Sequence, residues 1–213
     1  MNILIVHAHP EPKSFNGAMT RVAHSTLADQ NHTVEVSDLY AMNFDPVSSR
    51  ENFETVADPD FLKLQTEEMY AAQNNGFRRV LAKEQSKLES ADLVIFQFPL
   101  WWFGFPAIMK GWVDRVFAMG RIYSRGGIYA GASKLNRQAL LSFTTGAPAQ
   151  LFTETGAYGP IDQILLPIRR GILEYVGFEV LPNQVVHQPA RLSQDGRQAE
   201  LTRWEKRLRD YSH

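Results

Sequence analysis

The run Ala91–Phe98 (ADLVIFQF) limits the possible folds of this chain most strongly, because it is almost continuously apolar. A strand without a polar side needs cover on both faces, which is typical of a parallel sheet between two layers of helices. The runs Asn2–His7 and Gln138–Phe143 have the same character, and helical spacing lies between the runs. The sequence therefore predicts an α/β fold.

Two further strands complete the prediction, at Thr33–Val36 and at Glu179–Val186. Helices are predicted where apolar residues recur at helical spacing. One helix follows Asn16 as its N-cap, and another begins at Pro106. The others cover Phe61–Glu89 with a break at Asn74–Gly76, Ile161–Val176 before Gly177, and Gln194–Tyr211. Five alternating strands favour a flavodoxin-like, doubly wound parallel sheet in the order 2-1-3-4-5, with helices on both faces. We expect one domain over residues 1–213.

Composition excludes several classes of protein. The 22 basic and 23 acidic residues nearly cancel, which argues against nucleic acid as a ligand. The chain has no cysteine, so disulfides, thiolate chemistry and iron–sulfur clusters are excluded. No apolar run reaches the roughly 18 residues of a membrane helix, and the start of the chain does not resemble a signal peptide. We expect a cytoplasmic protein that does not insert into membranes.

Ligands of open parallel sheets bind beyond the carboxyl ends of the strands. Three loops leave strands at that edge, namely 9–16, 98–106 and 144–155. The first loop ends at a helix N-terminus with Ser14 and Asn16 as side-chain donors, so it is either a phosphate site or an ordinary capped helix.

The second loop (PLWWFGFP) places four aromatic residues directly after the central strand. They are either core residues or the wall of a site for a planar ligand. The third loop (TTGAPAQLF) contributes two hydroxyl groups and a glycine that lets a ligand approach the backbone, or it is an ordinary turn.

Other chemistries find little support. His7 and His9 lack a third metal ligand at useful spacing, so we expect no metal site. There is no phosphate-binding Gly-rich signature and no Gly-x-Ser-x-Gly motif. Glu11 and Glu154 are the carboxylates near the ligand edge and do not suggest a glycosidase pair.

These loops and several longer stretches resemble the flavodoxin-fold NAD(P)H:quinone oxidoreductases. The matching stretches cover essentially the whole chain and include LIVHAHPEPKSFNGAM (4–19), SDLYAMNFDPVSSR (37–50), ADLVIFQFPLWWFGFPAIMKGWVDRVF (91–117), LLSFTTGA (140–147), ILLPIRRGILEYVGFEVL (164–181) and WEKRL (204–208). The resemblance implies a homodimer with its active sites at the interface and bound FAD, with FMN as the less favoured flavin. It implies NADH or NADPH as hydride donor, and a quinone or another small planar molecule as acceptor.

The resemblance also assigns roles to individual residues. Residues implied to bind the cofactor are His9, Ser14, Phe15, Asn16, Gln65, Pro99, Leu100, Trp101, Trp102, Phe103, Thr144, Thr145, Gly146, Arg197 and Leu201. The implied substrate pocket consists of Trp102, Phe103, Tyr123, Arg125, Ile128 and Tyr175, with Tyr175 reaching the site of a partner subunit. Tyr158, Gly146 and Tyr123 are the implied catalytic residues.

The chain departs from the family pattern at several of these positions. Phe152 and Tyr158 replace a tyrosine–histidine pair that stabilises charge on the reduced flavin, and Ala147 replaces a glycine. Tyr158 still offers a phenol as hydrogen-bond donor, but it cannot become a cation as histidine can. Arg125 and Ile128 replace a tyrosine and a methionine; Arg125 either favours an anionic acceptor or the NADPH 2′-phosphate, or faces solvent.

The implied reaction is a ping-pong transfer of two electrons from NAD(P)H through FAD to a quinone. Azo- or nitro-reductase activity on the same fold is an alternative. A second alternative is a flavin-binding regulatory subunit of a potassium-efflux system. A flavodoxin-type electron carrier fits less well, because such carriers are strongly acidic and the net charge here is −1.

Overall fold

A computed structural model of the chain describes residues 1–124 and 137–211. Its centre is a sheet of parallel strands in the order β2-β1-β3-β4-β5, with β6 also pairing with β4. The strands are β1 (Asn2–His7), β2 (Thr33–Asp38), β3 (Leu93–Pro99), β4 (Arg137–Thr145), β5 (Phe178–Val180) and β6 (Gln184–His187). The predicted flavodoxin-like fold class and strand order are confirmed.

The sequence predicts a single strand, the fifth in chain order, over Glu179–Val186, and this prediction is wrong in detail. Two short strands occupy that position, β5 opposite Arg137–Ala139 and β6 opposite Ser142–Thr145. Pro182 lies between them and has no backbone N–H to donate, so the ladder is interrupted there. The carboxyl end of β6 consequently lies beside the carboxyl end of β4.

Helices cover both faces of the sheet. They are α1 (Phe15–Asp29), α2 (Leu64–Asn74), α3 (Arg79–Ser90), α4 (Ala107–Val116), α5 (Ile161–Ile164), α6 (Leu166–Ile168) and α7 (Gln194–Tyr211). The predicted break between α2 and α3 is confirmed, because Asn75 adopts a left-handed conformation with φ 52°. The predicted bounds of α7 are confirmed as well.

The predicted single helix over Ile161–Val176 is wrong. The segment consists of α5, α6, a π-helical turn at Arg169–Leu173 and a 3-10 turn at Glu174–Val176. Pro167 cannot donate to the carbonyl four residues earlier, which interrupts a regular α-helix. Gly177, with φ 90°, ends the segment as predicted.

Successive residues of the central strands point to opposite faces of the sheet and fill two separate cores. Ile3, Ile5 and Ile95 pack with Met19 of α1 and Trp204 of α7. On the other face, strand residues pack against α3, α4 and the 161–176 segment. The residues of this core include Phe96, Phe98, Trp112, Phe143, Leu81 and Ile168. None of the described helices is long and apolar enough to cross a bilayer.

Candidate functional site

Two adjoining clefts lie at the carboxyl ends of the strands. The first, of about 510 Å³, is lined by eight of the predicted cofactor-binding residues: His9, Pro99, Leu100, Trp101, Trp102, Thr144, Thr145 and Gly146. The second, of about 460 Å³, is lined by Leu100, Trp102, Phe103, Thr145, Gly146, Ala147, Phe152 and Tyr158. The structure thus brings residues from all three predicted loops to one edge of the sheet.

The loop after β3 contains a two-residue reverse turn made of large aromatic residues. Trp101 and Gly104 exchange backbone hydrogen bonds of 3.2 and 2.9 Å, and the residues between them, Trp102 and Phe103, have φ values of 49° and 58°. Such turns normally use Asn-Gly, because a side chain at positive φ is strained. Trp102 is 99% exposed, so packing within the described chain does not account for its position.

Asn16 fixes the start of α1 against the strand ends. The predicted N-cap role is wrong: Ser14 caps the helix and accepts the Gly17 amide at 3.1 Å. Asn16 is buried inside the helix, where its amide donates to Thr144 Oγ1 at 2.9 Å and its oxygen accepts from Gln97 Nε2 at 2.8 Å. This network extends to Ser142 Oγ, which donates to Gln97 Oε1 at 2.7 Å.

His9 supplies a polar group to the first cleft. Its Nδ1 accepts the Glu11 amide at 3.0 Å, and its ring lies tilted over Trp101 with centroids 6.4 Å apart. Burial lowers the pKa of His9, partly offset by Glu11, so the ring is neutral at pH 7. With Nδ1 accepting, the neutral ring carries its proton on Nε2 and offers it as a donor.

Gly146 leaves space where a ligand would lie. A Cβ atom built on Gly146 meets nothing within 4 Å, although the residue lines both clefts. Gly17 is the contrasting case, because a Cβ there would stand 2.4 Å from the Pro12 carbonyl oxygen. The open position at Gly146 and the exposed Trp102 fit a planar group such as a flavin.

Tyr158 lies in the second cleft among aromatic rings. Its ring packs edge-on against Phe103 and Phe152, with centroids 5.3 and 5.4 Å apart. The Tyr158 amide also donates to the Leu151 carbonyl at 3.0 Å, which fixes the backbone beside the cleft. Tyr158 remains 43% exposed, so the phenol is accessible from the cleft.

Three predicted site residues form a separate cluster. The rings of Tyr123 and Tyr175 lie 6.3 Å apart, and the Gln65 side chain hydrogen-bonds to the Tyr123 phenol. Burial and the neighbouring Glu68 raise the pKa of Tyr123, so the phenol stays protonated at neutral pH. None of the three lines either of the two clefts in the described part of the chain.

The remaining predicted residues lie elsewhere. Arg197 donates to the Leu192 carbonyl at 2.7 Å, while Leu201 and Phe15 pack against the core under α1 and α7. They do not line either cleft. Arg125 and Ile128 lie outside the described residues.

The turn after β6 was missed by sequence reasoning. Gln188, Pro189, Ala190 and Arg191 line the first cleft. The rule that ligands bind at the carboxyl ends of strands predicts these residues when it is applied to the last strand as well.

His7 and His9, the two histidines considered as metal ligands, make different hydrogen bonds. His7 Nδ1 and Thr20 Oγ1 lie 2.9 Å apart in a hydrogen bond, within the core. No group of three potential metal-binding side chains occurs among residues 1–124 and 137–211.

The sequence and the fold of this chain match known proteins over nearly the whole length of the chain. A family model described as flavodoxin-like fold matches residues 1–208. Ribosyldihydronicotinamide dehydrogenase [quinone] of Rattus norvegicus is 42% identical over 208 residues, covering 97% of this chain and 90% of that protein. NAD(P)H dehydrogenase [quinone] 1 of the same species is 42% identical over 206 residues, covering 96% and 75%. A solved structure from Klebsiella pneumoniae, assigned as a quinone reductase, has a TM-score of 0.88 and 36% identity, covering 97% of this chain and 83% of that one.

Proposed function

The chain belongs to the flavodoxin-like fold family and, within it, to the group of the NAD(P)H:quinone oxidoreductases, and from that premise we propose that it is an FAD-dependent enzyme that transfers two electrons from NADH or NADPH to a quinone in a ping-pong sequence. The observation that carries the proposal is the pair of adjoining clefts at the strand ends, which share Leu100, Trp102, Thr145 and Gly146. We also propose that the chain forms a single domain and that the protein is cytoplasmic.

FAD is proposed to lie in the first cleft, with its ring system extending along the residues that the two clefts share. His9 and the amides at the start of α1 would face the phosphates, because a helix N-terminus and a neutral histidine both donate hydrogen bonds. Trp101 and Trp102 would flank the flat ring, and Gly146 leaves the room that a side chain would fill. Bound FAD would supply the two-electron chemistry, accepting a hydride and passing it on to the acceptor.

The protein's own part is to exclude water and to supply hydrogen-bond donors. Aromatic walls and backbone amides suit hydride transfer, which needs positioning more than acid–base catalysis. Tyr158 is the proposed donor to charge that develops on the flavin during reduction, since its phenol is accessible in the second cleft. Phe103 and Phe152 hold its ring in place.

We propose that the active enzyme is a homodimer. Tyr123, Tyr175 and Gln65 are close to each other but do not line the clefts. In a two-fold dimer, these residues of one copy would complete the cleft of the other copy. This arrangement would explain why residues that are assigned to one site lie in two separate places within one chain. The acceptor would then bind between the subunits.

The hydride donor has a third candidate besides NADH and NADPH. The relative named ribosyldihydronicotinamide dehydrogenase is named for a donor smaller than NADH. Rates of anaerobic flavin reduction by NADH, NADPH and ribosyldihydronicotinamide at equal concentration would rank the three.

The experiment that tests the proposal is an anaerobic titration of purified, FAD-reconstituted protein, followed by absorbance. NAD(P)H should bleach the flavin bands without a semiquinone, and a benzoquinone should restore them. Failure to bind FAD or FMN would refute the enzymatic function. Binding with very slow reduction by every donor would instead favour the regulatory-subunit alternative, and reduction followed by faster turnover of azo dyes than of quinones would favour the azoreductase.

A further inference from the structure

The end of β6 holds the loop that follows β4. Thr145, the last residue of β4, and the two residues after it, Gly146 and Ala147, line the second cleft and are here called the 145–147 loop. The Gln188 amide donates to the Thr145 carbonyl at 2.7 Å, and the Gln188 side chain donates to the Gly146 carbonyl at 3.2 Å. The Nδ1 atom of His187 lies 2.8 Å from the Thr145 hydroxyl oxygen and is hydrogen-bonded to it.

The direction of the His187 hydrogen bond follows from the Thr145 hydroxyl. Thr145 Oγ1 donates its single proton to the Ala147 carbonyl at 2.7 Å. It therefore has only lone pairs to offer to His187, so the ring nitrogen Nδ1 must carry the proton and donate it. The Phe152 ring, with its centroid 5.4 Å away, packs against the imidazole and limits its rotation.

These bonds occupy the acceptors of the 145–147 loop and leave its donors available. The carbonyl oxygens of Thr145, Gly146 and Ala147 each accept a hydrogen bond. The amides of Gly146 and Ala147 donate to no atom of residues 1–124 and 137–211. A ligand edge rich in oxygen and nitrogen acceptors would satisfy both amides.

We propose that His187 is a positioning residue, which acts through Thr145 to hold the 145–147 loop with its amides presented to the flavin. The inference rests on the proposed function, because it takes a flavin to be the occupant of the cleft. His187 itself does not line either cleft, and so it does not touch the reacting atoms.

The test uses two substitutions at one position. His187→Leu removes the donor, whereas His187→Asn places an amide N–H near the former Nδ1. FAD affinity, measured by quenching of flavin fluorescence, should fall about three- to tenfold in His187→Leu, as expected for one lost hydrogen bond. The absorption maximum of the bound flavin should shift in the same variant, and His187→Asn should restore most of the affinity and the spectrum. His24→Leu, on the exposed side of α1, is the matched control.

A second measurement needs no flavin. The nitrogen chemical shifts of His187 in the flavin-free protein should report the Nδ1–H tautomer. A dominant Nε2–H tautomer, or equal FAD affinity and spectrum in wild type and His187→Leu, would overturn the positioning role while leaving the proposed function intact. Absence of flavin binding by the wild type would overturn the proposed function, and this inference with it.

Discussion

Asn16 and Thr144 are separated by 128 positions in the sequence and share a buried hydrogen bond of 2.9 Å. The bond joins the first turn of α1 to the end of β4. Through Gln97 the same network reaches β3, so three of the elements that surround the candidate site are fixed to one another. The geometry of the cleft therefore depends on a residue that contributes no surface to it.

Replacing Asn16 by alanine should destabilise the protein by about 2 kcal/mol, because the Gln97 amide and the Thr144 hydroxyl would lose their partner in a buried site. Urea unfolding at 25 °C measures this loss. Asn74→Ala, at an exposed position on α2, is the control and should change stability by less than about 0.5 kcal/mol. Equal effects of the two substitutions would contradict the importance of the network.

Trp102→Asn should leave the unfolding free energy of the flavin-free protein unchanged or raise it by up to about 1 kcal/mol. Asparagine tolerates the left-handed conformation better than tryptophan does, and a side chain that is 99% exposed has no packing to lose. Flavin affinity should fall at least tenfold (a loss of about 1.4 kcal/mol), because the proposed ring contact disappears. Val80→Asn, on the exposed surface of α3, should not affect flavin affinity. A variant that binds flavin normally would show that Trp102 is not a cofactor contact.

Gly146→Ala should separate stability from binding. The added methyl group meets nothing in the protein, so stability should stay constant or increase by about 0.5 kcal/mol. The same methyl group would occupy space that the flavin needs, and FAD affinity should fall. Gly171→Ala also adds a methyl group that meets nothing within 4 Å, and serves as the control. Unaltered FAD affinity in Gly146→Ala would argue against a flavin at this position.

Tyr158→Phe should slow reduction of the flavin by NAD(P)H by about three- to tenfold, with FAD affinity changed less than the rate. The substitution keeps the ring that packs on Phe103 and Phe152 but removes the proposed donor, worth roughly 1 kcal/mol. Anaerobic stopped-flow absorbance gives the rate directly. An unchanged rate would remove Tyr158 from the proposed mechanism.

The protein should lose stability as the pH falls below about 6.5, the ordinary pKa of histidine. Burial lowers the pKa values of His7, His9 and His187. The unfolded chain therefore binds more protons than the folded chain between the lowered pKa values and about 6.5, so acid favours unfolding, and above that pH the full stability is present.

Urea unfolding at pH 5.5, 6.5 and 7.5 measures this dependence. His7→Asn retains a hydrogen-bonding group near Thr20 and removes the titration, so its stability should vary less with pH than that of the wild type. Identical pH dependence in both proteins would mean that His7 does not contribute.

The sequence by itself determined the fold class and the edge of the sheet that carries the clefts. Apolar runs such as Ala91–Phe98 require cover on two faces whatever their partners are, and the carboxyl ends of parallel strands meet at one edge. Loop positions such as Trp102 and Gly146 could therefore be assigned to the candidate site before any contact was known. Family resemblance supplied their expected roles.

Only the tertiary structure decided which side chains support that site. The capping residue is Ser14 rather than Asn16, the aromatic pair after Trp101 adopts positive φ, and His187 reaches Thr145. The His187–Thr145 contact joins residues that are 42 positions apart, and local patterns of polarity carry no information about such a pairing. The cap at Ser14 and the turn from Trp101 to Gly104 are local, but the pattern of polarity does not distinguish Ser14 from Asn16 as the cap or predict positive φ for two aromatic residues. Local periodicity therefore predicts where a strand ends, whereas packing selects which polar groups meet there.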